Sequence, residues 1–198
     1  MKMYLKLGLI LLAFCVIATG ILAYVNSLTS PKIKALKEKQ ENDTRAKLIP
    51  NCTFVEVKGE PSYYIAKDKT TGEIKGYTFM AQKIGYSGPV KTMAAMDKDF
   101  KLISIQVLDQ SETPGLGANC VKENFSGQFK GKAAGQLVVD KDGGKLPNAI
   151  VAMTGATITT RAVTASLREQ LGNIRKAVEA ASPDPNPATQ TTSVEVTQ

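Results

Sequence analysis

The stretch TRAVTASLREQLGNIRKAVEAA, residues 160–181, decides what kind of fold this chain can make. Val163, Leu167, Leu171, Ile174 and Val178 recur at helical spacing and form one apolar stripe. A helix with a single stripe needs an apolar partner surface, and the residues upstream offer a sheet. The runs SYYIAK (62–67) and EIKGYTFMAQK (73–83) flank a turn-like cluster from Asp68 to Gly72, which reads as a hairpin. PVKTMAAMD (89–97) and KLISIQVLDQ (101–110) flank Asp97, Lys98 and Asp99 in a second hairpin. In the last of these runs Ile103, Ile105 and Val107 alternate onto one face. GQLVVD (135–140) and NAIVAM (148–153) read as two further short strands, separated by a turn at 141–144. Strands closed by a long amphipathic helix predict an α+β domain, an antiparallel sheet with packed helices.

Ahead of this domain lies a different kind of sequence. Residues 7–28 carry no charge and would reach roughly 33 Å as a helix, enough to cross a bilayer. The apolar run exceeds the ~7–15 residues of a signal-peptide core, which favours a retained anchor over a cleaved leader. The charge count leaves its orientation open, because Lys2 and Lys6 precede the span while Lys32, Lys34, Lys37, Lys39 and Arg45 follow it. Ser30 and Pro31 are suited to the N-cap and first position of a separate, charged stalk helix. The expected organisation is an anchor over 1–28, a stalk over 29–50, a domain over 51–181 and a disordered proline-rich tail over 182–198.

Composition narrows the chemistry. The net charge is +7, but the basic residues are dispersed, alternate with acids and lack interleaved aromatics, so nucleic acid is not an expected partner. There is no histidine, which argues against a metal site and removes the commonest general base. The three cysteines form no CxxC pair, and Cys52 could bond Cys120 only in an oxidising compartment.

Three glycine-containing stretches are candidates for a site. In MTGATITTRAV (153–163), Thr154, Gly155, Ala156 and Thr157 precede or open the helix, which we expect to begin near Thr159 or Thr160. Unpaired N–H groups at that end suit a phosphate, and Gly155 and Ala156 would let one approach the backbone. The same threonines could equally be helix caps. SETPGLGANC (111–120) places Glu112 and Thr113 directly after the best strand, with Pro114 and Gly115 marking a turn. GYSGP (85–89) is another tight turn. Each of the three, taken alone, also reads as an ordinary loop.

Together, an N-terminal anchor, GYSGP, ETPGLG and TGAT-x-T before a terminal amphipathic helix resemble the covalent FMN-binding domain family. Within it, the pattern is most similar to the G subunits of Rnf electron-transport complexes; the C subunits of sodium-translocating NADH:quinone reductases share the domain. The resemblance implies that Thr157 carries FMN through a phosphoester bond installed by a separate flavin transferase. Thr154, Gly155 and Ala156 would form the phosphate-side loop. Glu112, Thr113, Leu116 and Gly117 would border the flavin, with Tyr86 in the same pocket and Glu112 tuning its potential. The family often has an acidic residue three positions before the first Thr of the motif, where this chain has Val151. By the same resemblance, the domain faces the outer side of the membrane and passes electrons between membrane and peripheral partner subunits. No nicotinamide-binding glycine pattern, iron–sulfur cysteine cluster or haem histidine is present, so a relay fits better than a self-contained reductase. The residues by themselves leave open a non-redox, membrane-anchored interaction module that uses the TGAT turn only as a cap.

Overall fold

The computed structural model describes residues 2–142 and 148–181. The expected disordered tail, 182–198, and the second half of the expected turn at 141–144 lie outside the described residues. The chain divides into two compact units between Asp43 and Thr44.

The first unit is made by helix α1, Lys2–Leu48, whose last turn belongs to the second unit. Anchor and stalk, expected as separate helices, are therefore one. Pro31 removes a single backbone donor from a long ladder that continues on both sides of it. The Ser30 hydroxyl donates to Asn26 Oδ1 at 3.1 Å and caps no new helix. The most apolar window of α1 has a mean hydropathy of 2.5, long and apolar enough to cross a membrane.

The second unit is built on five strands: β1 (Cys52–Val57), β2 (Tyr63–Asp68), β3 (Ile74–Ile84), β4 (Pro89–Met96) and β5 (Leu102–Asp109). They form an antiparallel meander in the order β1-β2-β3-β4-β5. A short helix α2, Glu123–Ser126, and three 3-10 turns follow, and α3, Thr157–Ala181, closes the unit. Alternation along β4 sends Val90, Ala94 and Met96 to one cluster and Met93 and Ala95 to another. The larger cluster holds Phe79 and Ile105 from the sheet with Phe125 and Phe129 from the short helices. Against it lie Val163, Leu167, Leu171 and Ile174 of α3, each at most 1% exposed. The smaller cluster is closed by Leu48 and Ile49, beside which Arg45 sits 3.7 Å over the Tyr64 ring.

Two expectations change here. Ile105 and Val107 join the larger cluster, but Ile103 packs with the smaller one. The register slips between Ala95 and Met96, which pair with Ser104 and Leu102, so the extra residue Ile103 is turned to the other face. The segments 135–140 and 148–153 are not strands; Val139 and Ile150 make one isolated parallel bridge. Side chains take over the backbone of the second segment. Gln128 accepts from Val151 N–H at 2.7 Å, Asp140 from Ala152 N–H at 3.0 Å, and Thr160 Oγ1 from Met153 N–H at 3.1 Å.

Cys52 and Cys120 are free, buried thiols in the two different clusters. Burial, with the Glu112 charge adding to it, pushes the Cys120 thiol up to about 11, which makes it a poor nucleophile.

Candidate functional site

The topology gathers the site at one end of the sheet. Gly85–Gly88 is the β3–β4 turn, closed by Gly85 N–H to Gly88 C=O at 2.8 Å. β5 runs antiparallel to β4, with Lys91 opposite Asp109, so the chain leaving β5 emerges beside that turn. It then folds into a compact bend in which the Thr113 carbonyl accepts from both Leu116 and Ala118 N–H at 3.2 Å. The α3 N-terminus meets both segments.

A cleft of about 580 Å³ opens among them, lined by Tyr86, Glu112, Thr113, Leu116, Gly117 and the run from Gly155 to Thr159. That volume lies in the range of small-molecule sites, ~300–1,000 Å³. Eight of the residues expected at the site from sequence therefore share one cavity. Thr154 does not: it lines an adjoining groove with Gly115, Asn119, Lys122 and Gln128. Gly155 has φ +72°, and this left-handed turn separates the two.

The helix starts at Thr157, earlier than expected, and this changes what each hydroxyl can do. Ala156 precedes the first helical residue, so the capping position carries a methyl group. The Ala156 carbonyl accepts from Thr160 N–H at 3.1 Å and from Thr160 Oγ1 at 3.0 Å. Thr160 is thus bound into the loop, and Thr159 Oγ1 donates to Glu112 Oε2 at 2.6 Å. Both are fully buried. Thr157 is half-buried on the cleft wall, and its hydroxyl has no hydrogen-bond partner among the described residues. The first-turn N–H groups, which have no carbonyl one turn earlier in the helix, give the same spot a preference for anions.

Chemically the cleft has two parts. Around Thr157 and Ala156 it offers a hydroxyl, helix N–H groups and little side-chain bulk, which suit a phosphate. Further out, Tyr86, Leu116 and Ile158 are 72%, 44% and 50% exposed, an apolar lining fit for a flat ring. FMN has both a phosphate and such a ring, so the residues present fit it.

Ile158 and Thr159 are cleft residues missing from the sequence-derived set. The final threonine of TGAT-x-T was a visible signal for Thr159, but no pattern in the sequence pairs it with a carboxylate 47 positions away. Ile158 lies off the apolar stripe, and such isolated exposed apolar residues are common on helices.

The family model for the FMN-binding domain matches residues 85–172, and that for the RnfG N-terminal region matches 1–47. The chain is 40% identical over 164 residues to the G subunit of the proton-translocating ferredoxin:NAD(+) oxidoreductase complex of Clostridium ljungdahlii, covering 81% of this chain and 85% of the relative. The G subunit of the Na(+)-translocating ferredoxin:NAD(+) oxidoreductase complex of Acetobacterium woodii is 31% identical over 185 residues, covering 84% and 89%. Among solved structures, the C subunit of the Na(+)-translocating NADH-quinone reductase from Parabacteroides distasonis superposes with a TM-score of 0.53 at 25% identity, covering 69% of this chain and 82% of that one.

Proposed function

This chain belongs to the G-subunit family of ion-translocating (Rnf) oxidoreductase complexes, and we propose that Thr157 is where it carries FMN, through a phosphoester bond. The observation that carries this reading is the division of labour among three neighbouring threonines. Thr159 and Thr160 spend their hydroxyls inside the protein, whereas Thr157, whose hydroxyl has no partner among the described residues, lines a cleft of cofactor size.

In this reading Gly155 and Ala156 leave room for the phosphate beside the α3 N-terminus, and Thr154 shapes the loop from its other side. Tyr86, Thr113, Leu116, Gly117 and Ile158 hold the ring, and Glu112 forms the cleft floor. FMN supplies the capacity to accept and release one or two electrons; the chain's residues hold it in place, exclude water from one side and set its surroundings. A separate flavin transferase makes the bond in this reading; among the described residues none is hydrogen-bonded to the Thr157 hydroxyl. Residues 1–28 anchor the protein in membrane lipid, and residues 51–181 form the FMN-binding domain on the outer face. There it relays electrons between membrane and peripheral subunits of the complex. Protease treatment of intact cells against broken ones checks the side; protection of the domain in intact cells would reverse the assignment.

The test of attachment is intact mass and in-gel flavin fluorescence under denaturing conditions, wild type beside Thr157→Ala. We expect an added FMN mass that disappears completely in the variant. An unmodified wild-type chain, from cells whose transferase demonstrably loads another protein, overturns the proposal, as does flavin retained by the variant.

A further inference from the structure

One side chain joins the three segments that build the cleft. Glu112 is 5% exposed. Its Oε1 accepts Tyr86 N–H at 2.9 Å and Ser87 N–H at 3.1 Å, and its Oε2 accepts the Thr159 hydroxyl at 2.6 Å. Its own N–H donates to Gln110 Oε1 at 2.7 Å, fixing the backbone from which the side chain departs. Three of a carboxylate's roughly four acceptor positions are therefore held by protein donors. The short contact to Thr159 lies in the range of charge-assisted bonds.

The surroundings are shaped around this carboxylate. A Cβ on Gly85 would lie 2.4 Å from Oε1, and one on Gly117 would lie 2.6 Å from Oε2 and 2.7 Å from Thr159 Oγ1. Neither position can take a side chain unless the carboxylate or the hydroxyl moves. The first glycine of GYSGP, the second of ETPGLG and the last threonine of TGAT-x-T thus meet at a single group.

We infer that Glu112 is a positioning residue, which sets the width of the cleft by tying the Tyr86–Ser87 turn to the first turn of α3 and acts on the flavin through those walls. Tyr86 is 72% exposed, so its ring has little packing of its own to fix it; the hairpin closes its turn, and the backbone bond to Glu112 ties that turn to the cleft. Thr159 is two residues beyond Thr157 on the same helical turn, so the bond to Thr159 ties the attachment residue to the same carboxylate. That the cleft seats a flavin rests on the function proposed above; the tie itself does not.

The test is amide hydrogen exchange on the full chain in detergent, made without the flavin transferase, for wild type, Glu112→Gln and Glu112→Ala. Gln keeps an oxygen for the two N–H groups and can donate to Thr159 instead of accepting from it. We expect Glu112→Gln to hold exchange at Tyr86 and Ser87 within about threefold of wild type, and Glu112→Ala to speed it by about tenfold or more. The Met93 and Ala95 amides should not change. Should Glu112→Ala fail to fold, Thr159→Val removes only the Oε2 donor, and a rise of at least about threefold at Tyr86 and Ser87 is expected. In flavin-loaded protein, visible circular dichroism of the flavin should persist in Glu112→Gln and weaken in Glu112→Ala. Unchanged exchange at Tyr86 and Ser87 overturns the inference, and so does a rise that Met93 and Ala95 share. A wild-type chain that takes no flavin but shows the expected exchange pattern would leave the tie standing and sink the attachment reading alone.

Discussion

Helices α1 and α3 are both long and rich in apolar residues, yet they present them in opposite ways. Along α1 as far as Leu36 the large apolar side chains are open on every side, with Leu12 61%, Ile21 60% and Tyr24 66% exposed. Along α3 the apolar residues occupy one stripe, and four of them are essentially sealed against the sheet. A helix apolar all round has no single face to bury, so only an apolar surrounding can cover it. A helix with one stripe is completed by one protein surface. The same hydrophobic effect thus sends the first to a membrane and the second to a core.

The strongest way to break this contrast is one truncation made in each helix. Leu167→Ala should cost the sheet-bearing unit about 2–5 kcal/mol, read as a lowered midpoint in chemical denaturation in detergent. Leu12→Ala should leave that midpoint where it was, because Leu12 is exposed and belongs to the other unit. Equal losses from the two would mean that α1 is also part of a packed core. A smaller effect sharpens the contrast from beneath α3. Thr92 is fully buried, and its hydroxyl has no hydrogen-bond partner among the described residues. Replacing that hydroxyl with a methyl in Thr92→Val should raise stability by about 1 kcal/mol in the same assay. A loss would point to a partner for the hydroxyl.

The smallest effect expected is at the far end of the sheet, in the β2–β3 turn. Asp68 is held down to about 2 by its hydrogen bond to Lys75, helped by the Thr70 and Thr71 N–H groups. A depressed carboxyl contributes stability above its ordinary value of 3.8, and the contribution is lost as pH falls through about 2. Acid between about pH 4 and 2 should therefore loosen the sheet unit in the wild type, by a margin that Asp68→Asn removes. Identical acid profiles for the two proteins would show that the turn contributes nothing.

Much of this architecture can be read from local pattern. The α3 stripe, both hairpins and the membrane-length apolar run follow from periodicity and turn chemistry, which act over a few residues. The misreadings have equally local causes. Residues 148–153 look like a strand because Ile150 and Val151 favour extended backbone. Only Ile150 pairs with neighbouring backbone, its N–H donating to the Val138 carbonyl; the donors of Val151, Ala152 and Met153 are met by Gln128, Asp140 and Thr160. Ile103 looks like part of an alternating face until a register slip in β5 turns it over. Ser30 and Pro31 look like a helix start, but the ladder around them is long enough to absorb one missing donor.

The site shows the same boundary. From the amino-acid order alone came the candidate stretches, the family they resemble and Thr157 as the attachment residue proposed here. The order could not say which threonine hydroxyl is free, because that depends on where the helix begins and on what faces each residue. Nor could it say why GYSGP, ETPGLG and TGAT-x-T occur together in one chain. Periodicity and turn propensity are short-range properties, so they specify elements one at a time. The Glu112 carboxylate reaches Tyr86, 26 positions back, and Thr159, 47 positions on, only after the sheet and α3 have packed.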